Sequence, residues 1–333
     1  MLPAELERVL IVRPDGLGDL VLALPVAQVL KTASPGVSVG MLVSTYNRGV
    51  LDYTPHVDHH LLHDGDAGLK NARELAIELR EARYDAIVIL RPELRASYAA
   101  WRARIPVRIG TSRRAYSVFL NRPVSNPRRY SGLHETTLNV NLLRPLGIAE
   151  HREPVAPRMV ADPDPRVLAK FGVPSGDPYV VVHLGSKGTA ANWPAGRYLQ
   201  LIEQLSRRLP VVTTGQHMTP AGIPSGAIDV TRRTTFGELI QLLRQSRLVV
   251  SGGTGPLHVA AALGTPVIAF YPRHVHRGPH RWGPCGARAT IFMPEEGSHA
   301  ECDLRADGSC ECMETIGVQE VLSAIEREVA ADT

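Results

Sequence analysis

The sequence predicts an α/β protein built from two doubly wound parallel-sheet units in tandem, and three observations carry that expectation. Short β-branched runs alternate with longer amphipathic segments, the alternation stops near residues 148–165 and then restarts, and glycine-rich turns stand where strands run into helices. In such folds a ligand is expected outside the carboxyl ends of the strands, here in a central cleft between the units.

In the first unit, residues 9–12 read as a strand, 19–31 as a helix, 37–43 as a strand, 69–83 as a helix and 84–90 as a buried strand. Residues 148–165 are rich in Pro, Glu, Arg and Asp without sustained periodicity, so they read as a linker and divide the chain into 1–155 and 156–333. After it come strand 179–184, helix 195–208, strand 211–214, helix 236–245, strand 248–250, helix 257–263 and strand 266–271. The last helix, 318–330, is amphipathic and free to pack back on either unit, the N-terminal one included.

At 333 residues, 44% hydrophobic and 21% charged, the chain is long enough for two cores. It has no uninterrupted apolar run of roughly 18 residues and no basic, apolar leader at Met1, which places it in the cytoplasm. A net charge of +4 permits an anionic partner. Aromatic residues are only 5% and are not interleaved with basic runs, which argues against nucleic acid and leaves anionic lipid or a phosphorylated substrate. Four cysteines, all from Cys285 onward, are too few for a disulfide scaffold.

The first glycine turn, Arg13-Pro-Asp-Gly-Leu-Gly-Asp19, matches a dinucleotide loop only in part: Gly16 and Gly18 fit, but Val21 occupies the third glycine position. A carboxylate at a helix start would repel pyrophosphate. Asp19 therefore reads either as a helix N-cap or as a general base on a rigid turn, and the two roles are compatible.

The second turn, His183-Leu-Gly-Ser-Lys-Gly-Thr-Ala-Ala-Asn-Trp-Pro194, puts small residues and Lys187 before a helix, which suits a phosphate as well as it suits a solvated surface loop. Trp193 reads as a packing anchor. The third turn, Ser251-Gly-Gly-Thr-Gly-Pro-Leu-His258, is the stronger signal. Its glycines admit close approach of a ligand, Thr254 offers a hydroxyl, and the helix starting near Pro256 aims its N-terminus at the strand ends. His258 is by default a structural hydrogen-bonder.

Taken in order, Gly18-Asp19 with Leu20-Val-Leu-Ala-Leu-Pro25, the Trp193-Pro194 loop, Thr254-Gly-Pro-Leu-His258 with Leu263-Gly-Thr-Pro266, and Cys312-Met313 resemble glycosyltransferase family 9, the lipopolysaccharide heptosyltransferases. The resemblance implies a GT-B fold, two Rossmann-like domains with the acceptor on the first and a nucleotide-sugar on the second. It implies an inverting transfer without metal or other cofactor, typically of heptose from ADP-heptose to an inner-core glycolipid, with Asp19 as base. An anionic glycolipid acceptor would also bring peripheral contact with the inner face of the inner membrane.

The donor set is then Ser186, Lys187, Asn192, Arg233, Thr234, Gly253, Thr254, Gly255 and His258. The acceptor set is Gly18, Arg91, Arg95, Arg113, Arg114 and His134, with Arg128, Arg129 and Glu135 nearby; arginines suit phosphate or carboxylate, though scattered ones are usually surface. Three donor-side departures stand out: Ala191 replaces the family's lysine, Gly253 replaces its aspartate, and the segment after Gly215 lacks its acidic residue. They point to altered donor contacts, and to three alternatives: another nucleotide-sugar donor, an epimerase on the same fold, or a degenerate protein that only binds. Cys302, Cys310 and Cys312, with Cys285 and His299, superficially resemble metal ligands, but the Cys-x-Cys spacing is atypical and the default is loop cysteines, reduced or partly paired.

Overall fold

The computed structural model describes residues 6–63, 70–128, 131–174, 176–185, 192–216, 222–274, 276–296 and 310–330. The chain divides into two compact units, Met1–Arg158 and Met159–Thr333, each with its own six-stranded parallel sheet.

The first unit runs β1 (Arg8–Val12), α1 (Leu17–Val21), α2 (Leu24–Ala33), β2 (Ser38–Val43), β3 (His59–Leu62), α3 (Lys70–Glu81), β4 (Ala86–Ile89), α4 (Leu94–Arg102), β5 (Val107–Thr111), β6 (Arg122–Val124) and α5 (Glu135–Val140). Its strand order is β3-β2-β1-β4-β5-β6. The winding direction reverses between β1 and β4, which pair in parallel with Val9 opposite Ala86. Residues 9–12 are wholly buried, as expected for a central strand covered on both faces.

The single helix expected over 19–31 is two helices. α1 starts earlier, with Gly16 as its N-cap, and α2 starts anew with Pro25 in its first turn. Proline has no N–H to donate and fits only where that donor would be unpaired, so the break falls in front of it. The N-cap reading of Asp19 is corrected by the same finding, because Asp19 is the third residue inside α1.

The second unit runs α6 (Pro165–Lys170), β7 (Val180–Leu184), α7 (Ala195–Leu205), β8 (Val211–Gly215), β9 (Ile228–Asp229), α8 (Phe236–Gln245), β10 (Leu248–Gly252), α9 (Gly255–Ala262), β11 (Val267–Phe270), α10 (Pro279–Trp282), β12 (Ala289–Phe292) and α11 (Val318–Ala330). Its order, β12-β11-β10-β7-β8-β9, reverses between β7 and β10. α8 starts on a full capping box in which Thr235 and Glu238 satisfy each other's backbone N–H groups.

The apolar face of α11 packs within the second unit. Val318, Val321, Leu322 and Ile325 join Leu201, Ile202 and Leu205 of α7 in the second unit's core. The segment read as a linker is partly structural too: Met159 is buried, and its N–H donates to the Ala262 carbonyl at 2.9 Å. Among the described residues no helix is long and apolar enough to cross a membrane.

Candidate active site

In the first unit the chain leaves β1 through Arg13, whose side chain is 3% exposed and lies among three carboxylates. Its Nη2 donates to Asp19 Oδ1 at 2.5 Å, its Nε lies 2.8 Å from Asp15 Oδ1, and its Nη1 lies 3.4 Å from Glu135 Oε1 and 3.3 Å from Asn139 Oδ1. Glu135 and Asn139 come from α5, more than 120 residues downstream. Arg128 completes the network by pairing with Glu135 and donating to Asn139 Oδ1 at 2.8 Å and to the Leu90 carbonyl at 2.7 Å.

Burial alone would disfavour charge on Arg13, but Asp15, Asp19 and Glu135 outweigh it and hold the guanidinium above its ordinary value. Burial likewise raises the Asp15 carboxyl above its usual range; Arg13 opposes this and Asp19 adds to it. Asp19 differs from the other two carboxylates in access. Its side chain is 32% exposed, against 13% for Asp15 and none for Glu135. The cluster therefore presents one carboxylate to solvent, at the point where the sheet's winding reverses.

The proposed acceptor residues are distributed unevenly around it. Gly18 is in α1, and Arg91 follows β4 as an exposed side chain 4.0 Å from Asp15. Arg113 and Arg114 follow β5 and are exposed. Arg95 is buried, with its Nε 3.9 Å from Glu93. His134 is the N-cap of α5 and holds the helix start through Thr136, and Glu135 is wholly buried. Arg129 lies outside the described residues.

In the second unit β7 and β10 lie side by side at the winding reversal, with His183 opposite Ser251. Their carboxyl ends carry the second and third glycine turns. Thr254 is the N-cap of α9 but makes no capping bond; its hydroxyl is 3.0 Å from that of Ser251. Gly253, Thr254 and Gly255 are partly exposed, and α9 points its first turn outward from the strand ends, where free N–H groups and the helix dipole favour an anion. His258 is buried in the first turns of α9. Asn192 is buried beside Trp193, Arg233 is exposed and donates to the Asp229 carbonyl at 3.1 Å, and Thr234 directly precedes the α8 N-cap. Ser186, Lys187 and Ala191 lie outside the described residues, as does the stretch 217–221 after Gly215.

Gly253 has a packing reason that the sequence did not disclose. A Cβ there would lie 2.6 Å from the ring of Tyr271, which is buried and donates from its hydroxyl to the Trp282 carbonyl at 2.5 Å. A carboxylate at this position has no room unless Tyr271 moves. Gly253→Asp is accordingly expected to destabilise the second unit by about 1–3 kcal/mol through overpacking, measured as a lower denaturant midpoint.

Two features escaped the sequence reading. His183 is buried with Nδ1 2.9 Å from the Thr214 hydroxyl, and burial pushes its imidazole down to about 4, so it is neutral at pH 7. In addition, six of the nine residues 273–281 are His or Arg. Trp282 anchors this segment beside the Gly253 turn, through Tyr271 and through its own Nε1–H to the His276 carbonyl at 2.9 Å. That local run of His and Arg was the available signal.

The cysteines are not surface loop residues throughout. Cys310 and Cys312 are buried in the second unit's core with their sulfurs 3.0 Å apart, and burial raises the half-buried Cys285 thiol. Cys302 and His299 lie outside the described residues, among which no three His, Cys, Asp or Glu side chains are grouped to hold a metal.

Residues 72–307 match the family model of glycosyltransferase family 9 (heptosyltransferase). That span holds both glycine turns of the second unit and begins after Asp19. Lipooligosaccharide heptosyltransferase 2 of Haemophilus influenzae is 23% identical over 312 residues, covering 87% of this chain and 89% of that protein. A glycosyltransferase of family 9 from Veillonella parvula superposes with a TM-score of 0.81 at 20% identity, covering 98% of this chain and 97% of its own. The Escherichia coli ADP-heptose heptosyltransferase II gives 0.80 at 18% identity, with 98% and 99% covered. These two structures share the fold.

Proposed function

Because this chain belongs to glycosyltransferase family 9, we propose that it transfers a heptose from ADP-heptose to an anionic lipopolysaccharide-core or related glycan acceptor, with inversion at the anomeric carbon. The epimerase and binding-only readings of the sequence give way to a glycosyltransferase. The observation that carries the mechanism is the partly exposed Asp19 carboxylate at the winding reversal of the first sheet. Asp19 accepts the proton of the acceptor hydroxyl as that oxygen bonds the anomeric carbon and the bond to the diphosphate breaks.

The departing diphosphate takes its stabilisation from the first turn of α9 and the Thr254 hydroxyl. Exposed Arg277 adds positive charge in the segment that Trp282 ties beside the same turn. No metal or other cofactor enters the proposed reaction. Arg91, Arg113 and Arg114 suit the acceptor's phosphates, and work on such a glycolipid would take place in the cytoplasm at the inner membrane face.

A second donor is the alternative that a specific observation favours: Tyr271 fills the space that a carboxylate at 253 would need. Thermal unfolding against a panel of ADP-, GDP- and UDP-sugars separates the two. A ligand at a hundredfold excess over its Kd adds about 2.7 kcal/mol, roughly 5–10 °C for a unit of this size. ADP-heptose is expected to give the largest shift; a larger one with GDP- or UDP-sugars moves the assignment to that donor, and none at all removes the donor site.

A further inference from the structure

The two oxygens of Asp19 are not equivalent. Oδ1 accepts from Arg13 at 2.5 Å, whereas Oδ2 faces Gly16. A Cβ on Gly16 would lie 3.0 Å from Oδ2, and within 4 Å it would meet nothing but this carboxylate. Gly16 also has φ −63° and ψ 158°, which any residue adopts, and it caps α1 without a side-chain bond. Ser, Asn or Asp would cap the helix better there. The backbone angles do not require glycine at this position, and any side chain there would crowd Oδ2.

Resting on the reading of Asp19 as the base, we propose that Arg13 and Gly16 are positioning residues of the transfer. Arg13 clamps Oδ1, and the gap at Gly16 leaves Oδ2 as the oxygen that takes the acceptor proton. Arg13 is itself fixed from behind, because Glu135 and Asn139 hold its Nη1 and Arg128 binds both of those residues. The clamp is thus rigid on one side and open on the other. A shift of the carboxylate by a fraction of an ångström then matters, since misplacing a reacting group by about 1 Å costs on the order of a hundredfold in rate.

The test compares Gly16→Ala, Arg13→Gln, Arg13→Lys and Asp19→Asn, singly and with each of the first two combined with Asp19→Asn. Transfer is followed from ADP-heptose to heptose-deficient lipopolysaccharide, and ADP binding by calorimetry. Gly16→Ala is expected to lower kcat about 10- to 100-fold with the ADP affinity and melting temperature unchanged. Arg13→Gln should lower kcat as well, and Arg13→Lys should restore part of it. Neither Gly16→Ala nor Arg13→Gln should lower the rate further once Asp19 is Asn. Should the Arg13 variants fail to fold, Gly16→Ala carries the test alone. Wild-type turnover by Gly16→Ala beside an inactive Asp19→Asn overturns the positioning roles and leaves the base, whereas an active Asp19→Asn overturns both.

Discussion

Asp19→Ala is expected to lower kcat by about 10² to 10⁴-fold, the contribution of a positioned general base, and to leave nucleotide affinity unchanged. The loss corresponds to roughly 3–5 kcal/mol of transition-state stabilisation at about 1.4 kcal/mol per tenfold. Stability should respond little, because Arg13 keeps Asp15 and Glu135 as partners and no buried charge is orphaned. Removing Arg13 is the instructive contrast. It leaves the buried Asp15 short of a counter-charge and Glu135 with Arg128 alone, and breaking a buried pair typically costs about 3–5 kcal/mol of stability. Steady-state kinetics, ADP calorimetry and melting curves on the Asp19 variant check all three statements. Retained transfer would reassign the base, with Asp15, raised by its burial, the next carboxylate in line.

The parts of this molecule that were legible in the sequence are those encoded locally. The β10–α9 turn was readable because Gly252, Gly253, Gly255 and Pro256 punctuate it within five positions, and α8 because its apolar spacing and its cap lie within one short stretch. Edge strands were less legible. β3, the half-exposed His59–Leu62, and the two-residue β9 lack the uniform burial that marks a central strand. The sequence named Asp19, Arg128 and Glu135 as candidates, but it did not show that Arg13 joins them in one carboxylate–guanidinium cluster. Arg13 and Asp15 stood in the first glycine turn, but what gives them meaning is Glu135 and Asn139, which only the tertiary fold brings to Arg13. The same holds for Gly253, whose glycine is dictated by a tyrosine on the neighbouring strand's exit.

Trp193→Ala is expected to destabilise the second unit by about 3–5 kcal/mol, the usual cost of emptying a buried aromatic site. Trp193 is 1% exposed, stacks on Phe270 with centroids 4.5 Å apart, meets Tyr198 edge-on at 5.1 Å, and donates from Nε1 to the Ile316 carbonyl at 3.2 Å. It therefore ties three parts of the unit together: β11, the first turns of α7 and the segment that leads into α11. At roughly 2–4 °C per kcal/mol for a unit of this size, the melting transition should fall by about 10 °C. Trp193→Phe should cost less, because a ring can still stack on Phe270 and the loss is limited to the bond to Ile316 and part of the indole's volume. Function should follow stability here. Trp193 closes the second glycine turn immediately before Pro194 and α7, so loosening it frees the exit of the proposed donor loop, and ADP affinity should weaken in Trp193→Ala more than in Trp193→Phe. Equal ADP affinity in both, despite the expected difference in melting, would mean that the loop is held from elsewhere and that Trp193 acts on the core alone.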